Sequence, residues 1–309
     1  MNTYVFKIND FKNRICSRSG GFFFSLAEYI INNGGIVYGV ALENNIKAKH
    51  IRIDTVEMLS QIQGSKYIQS NVGKCYKSAK IDLDSGKTVL FSGTACQVAG
   101  LKSFLNKKYS NLVTVDIICH GVPSPMVWRD YLKSIEKRRN SEIVKVDFRN
   151  KYKFGWAAHK ETIYFADGHT EDSGLFTGLF YSHNILRPCC YYCPYKSLER
   201  VSDFSIGDAW GINTANPEFN DDNGVSLVLV NDEKAETILG QLKDCEKVKV
   251  SISDYMQPPL ERPFAQPKER RKFWNYYHTH SFEKVASKYK RDTYIRLISN
   301  KLRKRIGRG

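Results

Sequence analysis

Apolar positions along the chain keep two alternating rhythms: short continuous runs of strand length, and longer stretches in which apolar residues recur every three or four positions. Gly20-Gly21 opens a stretch of the second kind, FFFSLAEYIINN, which is followed by Gly34-Gly35 and the strand-like run IVYGVAL. KTVLF (87–91) reads as a buried strand that ends in Ser-Gly-Thr, and ACQVAGLKSFLNKKY after it has helical spacing. A second strand, LVTVDIICH, breaks at Gly121 and Pro123. Ser124 can cap the next helix, PMVWRDYLKSIEKRR, with Pro125 at its first position.

The rhythm changes over residues 143–170. IVKVDFRN, a break at Gly155-Trp156, and HKETIYFADGHT with Asp167-Gly168 as a hairpin turn predict an antiparallel insertion. FSIGDAWG, VSLVLVND and VKVSIS supply further strands, and Pro258, Pro259, Pro263 and Pro267 then punctuate the chain. The expected fold is mixed α/β with α+β character. One large mixed-sheet domain (1–257) carries the insertion, and a linker with a basic amphipathic helical tail (258–309) follows.

Charge sharpens the reading of that tail. Of the formal +15, most lies beyond residue 261, where fifteen Lys or Arg face only Glu269, Glu283 and Asp292. The same segment carries Tyr294, Ile295, Leu297, Ile298, Leu302 and Ile306 near helical spacing, which fits a membrane-surface helix or a dock for an acidic partner. No nucleic-acid partner is expected, because the aromatic-rich body has neither a helix-turn-helix nor RNP motifs. The N-terminus lacks a leader's apolar core, and no run approaches the roughly eighteen apolar residues of a membrane span, so the chain is expected to be cytoplasmic.

Eight cysteines in a reducing compartment are packing residues, metal ligands or reactive thiols rather than disulfides. Cys16, Cys75 and Cys245 stand outside any motif. Cys96 in GTACQ and Cys119 in DIICHGVPSP each sit where a strand hands over to a helix, which is where ligands collect in α/β sheets. Cys190 and Cys193 form CYYC just before SDFSIGDAWG. Four such thiols can hold a structural zinc or an iron–sulfur cluster, and their spacing alone leaves both open.

GSKYIQS, VLFSGTACQVAGLK, VDIICHGVPSPMVWRDYL, FRNKYKFGW and CYYCPYK…SDFSIGDAWG occur in the order found in the coenzyme F-420 hydrogenase/dehydrogenase beta-subunit family, which this chain resembles from residue 4 to about 230. The family's usual GTPCQ is GTACQ here, with Ala95 in place of proline. The resemblance implies an iron–sulfur flavoprotein oxidoreductase containing FAD and a 4Fe-4S cluster. Cys96, Cys119, Cys190 and Cys193 would ligate the cluster, with Cys189 a spare neighbour.

For FAD, the resemblance singles out Ser19, Gly20 and Gly21, whose backbone can meet a pyrophosphate at a helix N-terminus. It also points to Gln63, Gly64, Ser65, Lys66 and Tyr67, with Lys66 stabilising negative charge on a reduced flavin, and to Gly93 and Thr94 beside the ring. Asp203 and Asp208 can bind ribityl or ribose hydroxyls, and His120 can pass a proton. Many members begin with a ferredoxin-like domain, while this chain starts at the segment that normally follows it. Electrons are therefore expected from a separate ferredoxin-like carrier, passing through the cluster to FAD and on to an organic acceptor. By analogy with members linked to surface polysaccharides, the acceptor would be a nucleotide-sugar or lipid-linked sugar at the inner membrane face. The contrasting expectation is a non-catalytic metal-binding scaffold that recruits glycan-assembly enzymes.

Overall fold

The structure is a computed structural model and describes residues 1–44 and 46–289. Its strands are β1 (Asn2–Ile8), β2 (Ile36–Glu43), β3 (Lys47–Ile53), β4 (Val89–Thr94), β5 (Leu112–Ile117), β6 (Ile143–Asp147), β7 (Glu161–Phe165), β8 (Thr170–Ser173), β9 (Phe204–Asp208), β10 (Ser226–Val230) and β11 (Cys245–Lys249). Eight of them form one mixed sheet in the order β11-β1-β10-β9-β5-β4-β2-β3. The neighbours β2, β4, β5 and β9 run parallel, and antiparallel strands extend the sheet on both sides.

Strand alternation explains the layers, because successive side chains point to opposite faces. Val37, Leu90, Val113 and Val115 pack with Phe22, Leu26 and Ile30 of the helix Phe22–Asn32 on one face. Ile36, Tyr38, Val89, Phe91 and Leu112 meet the helices Cys75–Asp84 and Ala95–Leu105 on the other. Runs such as VLF are continuous in sequence because both faces of this part of the sheet are covered.

The expected antiparallel insertion is present as β6-β7-β8, turning at Asp167-Gly168 with Gly168 at φ 82°. It builds its own core with the helix Pro125–Arg139, whose Val127, Trp128, Tyr131, Leu132 and Ile135 form one apolar face. Phe176, Leu179 and Phe180 of the helix Leu175–Tyr181 join them.

The structure departs from the expected elements in several places. Two strands go beyond the expected set. TYVFKI in β1 sits in a segment that reads as polar, and KAKHIRI in β3 has a period-2 pattern that a reading for apolar runs passes over. The last strand is Cys245–Lys249 rather than VKVSIS, because β1 sets its register through Val5 opposite Val248. Ser124 makes no side-chain cap; Pro125 alone marks the helix start.

Pro258 begins a short helix, Pro258–Glu261, residues 262–267 have no regular structure, and the helix Arg270–Thr279 beyond them packs back on the insertion. Phe273, Tyr277, Val285 and Tyr289 are buried in the insertion's core, and Tyr277 donates to Asp130 Oδ2 at 2.7 Å. The apolar stripe from Tyr294 to Ile306 lies outside the described residues. Among the described residues no helix is long and apolar enough to cross a membrane.

Candidate functional site

Because β4, β5 and β9 are parallel neighbours, their C-terminal ends open together. A cleft of about 1440 Å³ lies there, with the insertion on one side and residues 256–264 contributing to its wall. Ligand pockets are commonly about 300–1,000 Å³, so this one has room for more than one small molecule.

The β4 end enters its helix through a capping box formed by Thr94 and Gln97. Cys96 follows, with its Sγ 3.1 Å from Thr94 Oγ1. Cys119 lies just past the neighbouring strand end. Burial pushes its thiol up to about 12, opposed by the Gly121 N–H and the Lys196 ammonium, while Cys190 and Cys96 push the same way as burial. Cys190 points toward this turn, accepting from the Val122 N–H at 3.4 Å, whereas Cys189 is exposed.

Lys196 ties the group together. It is buried, donates to His120 O at 2.8 Å, lies 4.5 Å from the Phe264 ring centroid, and is in the electrostatic field of Cys119, Cys190 and Cys193. The four thiols thus share one neighbourhood. Among the described residues, however, no three His, Cys, Asp or Glu side chains are placed to hold a metal ion.

Ser19 and Gly21 line the cleft, and the helix Phe22–Asn32 starts there with Gly21 in the left-handed region at φ 89°. Its first-turn N–H groups have no intrahelical acceptors. The Ser19 hydroxyl is spent on Val225 O at 2.5 Å and the Gly20 N–H on Ser226 Oγ at 3.0 Å. Gly20 itself is not in the cleft lining. A Cβ there would lie 2.0 Å from Phe6 O, so close backbone packing requires this glycine.

Gln63, Gly64, Ser65, Lys66 and Tyr67 form an adjoining wall, and Gly93 and Thr94 another. Lys66 folds back to donate to Gln63 O at 2.6 Å, and burial lowers its pKa to about 7. His120 also lines the cleft; its Nε2 lies 2.9 Å from His183 Nε2, its ring packs on Phe264, and burial lowers its pKa to about 3.

The two aspartates differ from expectation. Asp203 lies at the far end of β9, where it accepts from Thr114 N and Oγ1 at 2.5 and 2.7 Å and pairs with Lys234 at 3.1 Å, pinning β9 to β5. Asp208 does line the cleft, but it accepts from Arg149 Nη1 and from Trp156 Nε1, each at 2.9 Å, and so anchors the insertion to the sheet.

Sequence reasoning missed the polar and aromatic floor beside Asp208. Arg18 and Arg149 line it with Trp210, which stacks on Trp156 at 5.0 Å, and with Tyr181, which pairs with His159 Nδ1 at 2.7 Å. The available signals are the Arg preceding Ser-Gly-Gly and the FRNKYKFGW motif, neither of which declares a role by itself. Arg149 is fully satisfied by Ala158 O, Tyr67, Asp208 and Trp156 O. Arg18 donates from Nη2 to Trp156 O, while its Nε and Nη1 are buried without partners. Such donors cost on the order of 1–3 kcal/mol each.

No curated protein matches the chain. A chain in the xenon-derivatized F420-reducing [NiFe] hydrogenase complex from Methanosarcina barkeri is similar in structure, with a TM-score of 0.56 and 16% identity over 80% of this chain and 81% of that one. At that identity the likeness bears on fold. Residues 86–254 match the family described by the C-terminal part of the coenzyme F420 hydrogenase/dehydrogenase beta subunit. That match covers more than half of the chain, from β4 to the end of the main sheet, and so the chain belongs to the coenzyme F420 hydrogenase/dehydrogenase beta-subunit family, a family of oxidoreductase type.

Proposed function

We propose that this chain is an iron–sulfur flavoprotein oxidoreductase that accepts electrons from an external, ferredoxin-like carrier and reduces an organic acceptor. The observation that carries this reading is the shared cleft. Cys96 and Cys119, at adjacent strand ends, open into the same space as the helix N-terminus after Gly21 and the Gln63–Tyr67 wall. Bound there, FAD would supply exchange between one- and two-electron chemistry, and a 4Fe-4S cluster would supply single-electron transfer.

The chain's own residues then have distinct tasks. Cys96, Cys119, Cys190 and Cys193 provide soft thiolate donors from three turns, and Lys196 counters their negative charge. N–H groups of the first turn after Gly21 would hold a diphosphate, and Gly93 would leave room for a flat ring beside Thr94. Phe264 packs on the His120–His183 pair beside the Cys119 turn. Lys66, lowered to about 7 by burial, can exchange a proton at the cleft wall, whereas His120, lowered to about 3, stays neutral there. The basic residues beyond 261 suit an acidic electron carrier or an anionic membrane surface on the cytoplasmic side, where a sugar-bearing acceptor would be met.

Anaerobic purification with absorbance, iron, sulfide and flavin analysis tests the proposal. Flavin peaks with a broad shoulder that bleaches with dithionite are expected, and Cys→Ser at any of the four positions removes the shoulder. A colourless, zinc-containing protein would sink it in favour of a metal-bearing scaffold.

A further inference from the structure

The helix Pro125–Arg139 turns its apolar face to the insertion's core, and on the opposite side it repeats a cation at every turn: Arg129, Lys133 and Lys137 are exposed and four residues apart. Like charges at that spacing repel one another on a helix surface. Among the described residues the ion pairs of this helix are Arg129–Asp130 and Arg138–Glu171, so Lys133 and Lys137 have none. Two further elements lie alongside. Tyr277 of the helix Arg270–Thr279 bonds Asp130, the Phe282 ring lies 5.9 Å from that of Tyr131, and Glu283 is in the field of Lys137 and Arg138. Lys272 and the helical residues Lys284 and Lys288 add exposed cations, and Lys288 Nζ sits 3.9 Å from the Tyr276 ring centroid. Trp274, Tyr276 and Phe282, all half-buried, are interleaved with them.

We propose that this face docks the protein on an anionic phospholipid bilayer, with Lys133 and Lys137 as headgroup contacts supplied by the folded body. Long cationic side chains beside Trp and Tyr rings suit the headgroup region, where the charge meets lipid phosphates and the rings sit at the apolar boundary. The sequence beyond the face favours the same occupant. Tyr289 packs on Phe273 at 4.8 Å, so the chain enters residues 290–309 from here, and they hold eight Lys or Arg against Asp292 together with the apolar positions from Tyr294 to Ile306. A bilayer can take up both kinds of residue, whereas a nucleic acid or an acidic protein surface has use mainly for the charge. The docked helix is tied at its other end to the cysteine turn, since Arg270 Nε donates to the Tyr191 hydroxyl at 3.0 Å and Trp274 Nε1 to Asn184 O at 3.1 Å. Docking of this kind is independent of what the cleft binds.

The test is co-sedimentation of the full-length protein with vesicles of phosphatidylglycerol and phosphatidylcholine, against vesicles of phosphatidylcholine alone. Each cation at an anionic surface changes partitioning by about fivefold, so Lys133→Glu with Lys137→Glu is expected to weaken binding at least tenfold even though residues 290–309 are intact. Lys12→Glu with Lys108→Glu makes the same change in net charge on exposed residues of the main-sheet body and should cost far less. Should the Lys133/Lys137 charge reversal fail to fold by circular dichroism, Lys133→Gln with Lys137→Gln takes its place, with at least a fivefold loss expected and a smaller one overturning the assignment.

Equal binding to the two kinds of vesicle overturns the docking face, as does a loss below tenfold in the folded charge reversal, which would leave the terminal segment as the whole contact. A loss just as large in the Lys12/Lys108 variant overturns it too, because net charge alone would then explain the binding. A wild type that ignores both vesicles but is retained on single-stranded DNA or on an acidic ferredoxin through Lys133 and Lys137 would reassign the face to that polyanion.

Discussion

Arg200 and Asp116 form an ion pair with side-chain exposures of only 2% and 0%. Arg200 also donates to Ser205 Oγ at 2.9 Å and to Tyr195 O and Ser197 O at 2.8 and 3.2 Å. One guanidinium therefore fastens the loop after Cys193 to the middle of the main sheet. Removing one partner of a buried pair strands the other charge, which costs about 3–5 kcal/mol. Asp116→Asn is expected to lose that much, read from urea unfolding midpoints. A loss below about 1 kcal/mol would show that the pair is not buried in solution.

Gly20 lies where a helix approach crosses the sheet. An alanine Cβ would lie 2.0 Å from Phe6 O and 2.6 Å from Ser226 N, both backbone atoms with no rotamer to yield. Gly20→Ala should therefore destabilise by at least the about 1–3 kcal/mol typical of overpacking. A melting temperature equal to that of the wild type would refute the close approach.

Two histidines outside the cysteine turns set an acid limit. Burial lowers His50 to about 4 and, helped by Arg149 and Arg18, His159 to about 3, from an ordinary value of 6.5. Each binds fewer protons folded than unfolded over that window. Stability is thus retained above about pH 6.5 and lost as the pH falls toward 4, by up to about 1.4 kcal/mol per pH unit per histidine. Unfolding midpoints at pH 7.5 and 5 check the sign; a flat profile contradicts it.

Thiol reactivity should rank the cysteines. In metal-free protein at pH 8, iodoacetamide is expected to label the exposed Cys16, Cys96 and Cys189 first and Cys119 at least tenfold more slowly, because burial keeps Cys119 a thiol. Lys196→Met should slow Cys119 further by removing the cation that favours its thiolate. Peptide mass spectrometry gives the order, and early labelling of Cys119 would contradict it.

Strands and helices of the parallel half were legible because burial on both faces writes a continuous apolar run, as in VLF before Gly93, and Pro125 marks a helix start without ambiguity. Edge strands were not, since KAKHIRI buries only alternate residues beside β2, and CEKVK is largely exposed and owes its pairing to β1 at the other end of the sequence. At the site, Cys96 and Cys119 were legible from their place at strand ends. Asp203 and Asp208 were not, because a carboxylate beside glycine looks the same whether it faces a ligand or a guanidinium on another element. Arg18 was invisible for the converse reason: what distinguishes it from other arginines is the lack of a partner, which only the folded arrangement reveals.

β1 lies between β10 and β11, so the first strand of the chain has both neighbours more than two hundred residues away. During synthesis this strand, and the Gly20 turn that leans on it, must wait until β10 (Ser226–Val230) has emerged before either edge is paired. The helix N-terminus after Gly21 cannot be fixed in the cleft wall before then. The cleft is thus completed late, and a chain that stops short of β10 would carry Cys96, Cys119, Cys190 and Cys193 with no finished cleft beside them.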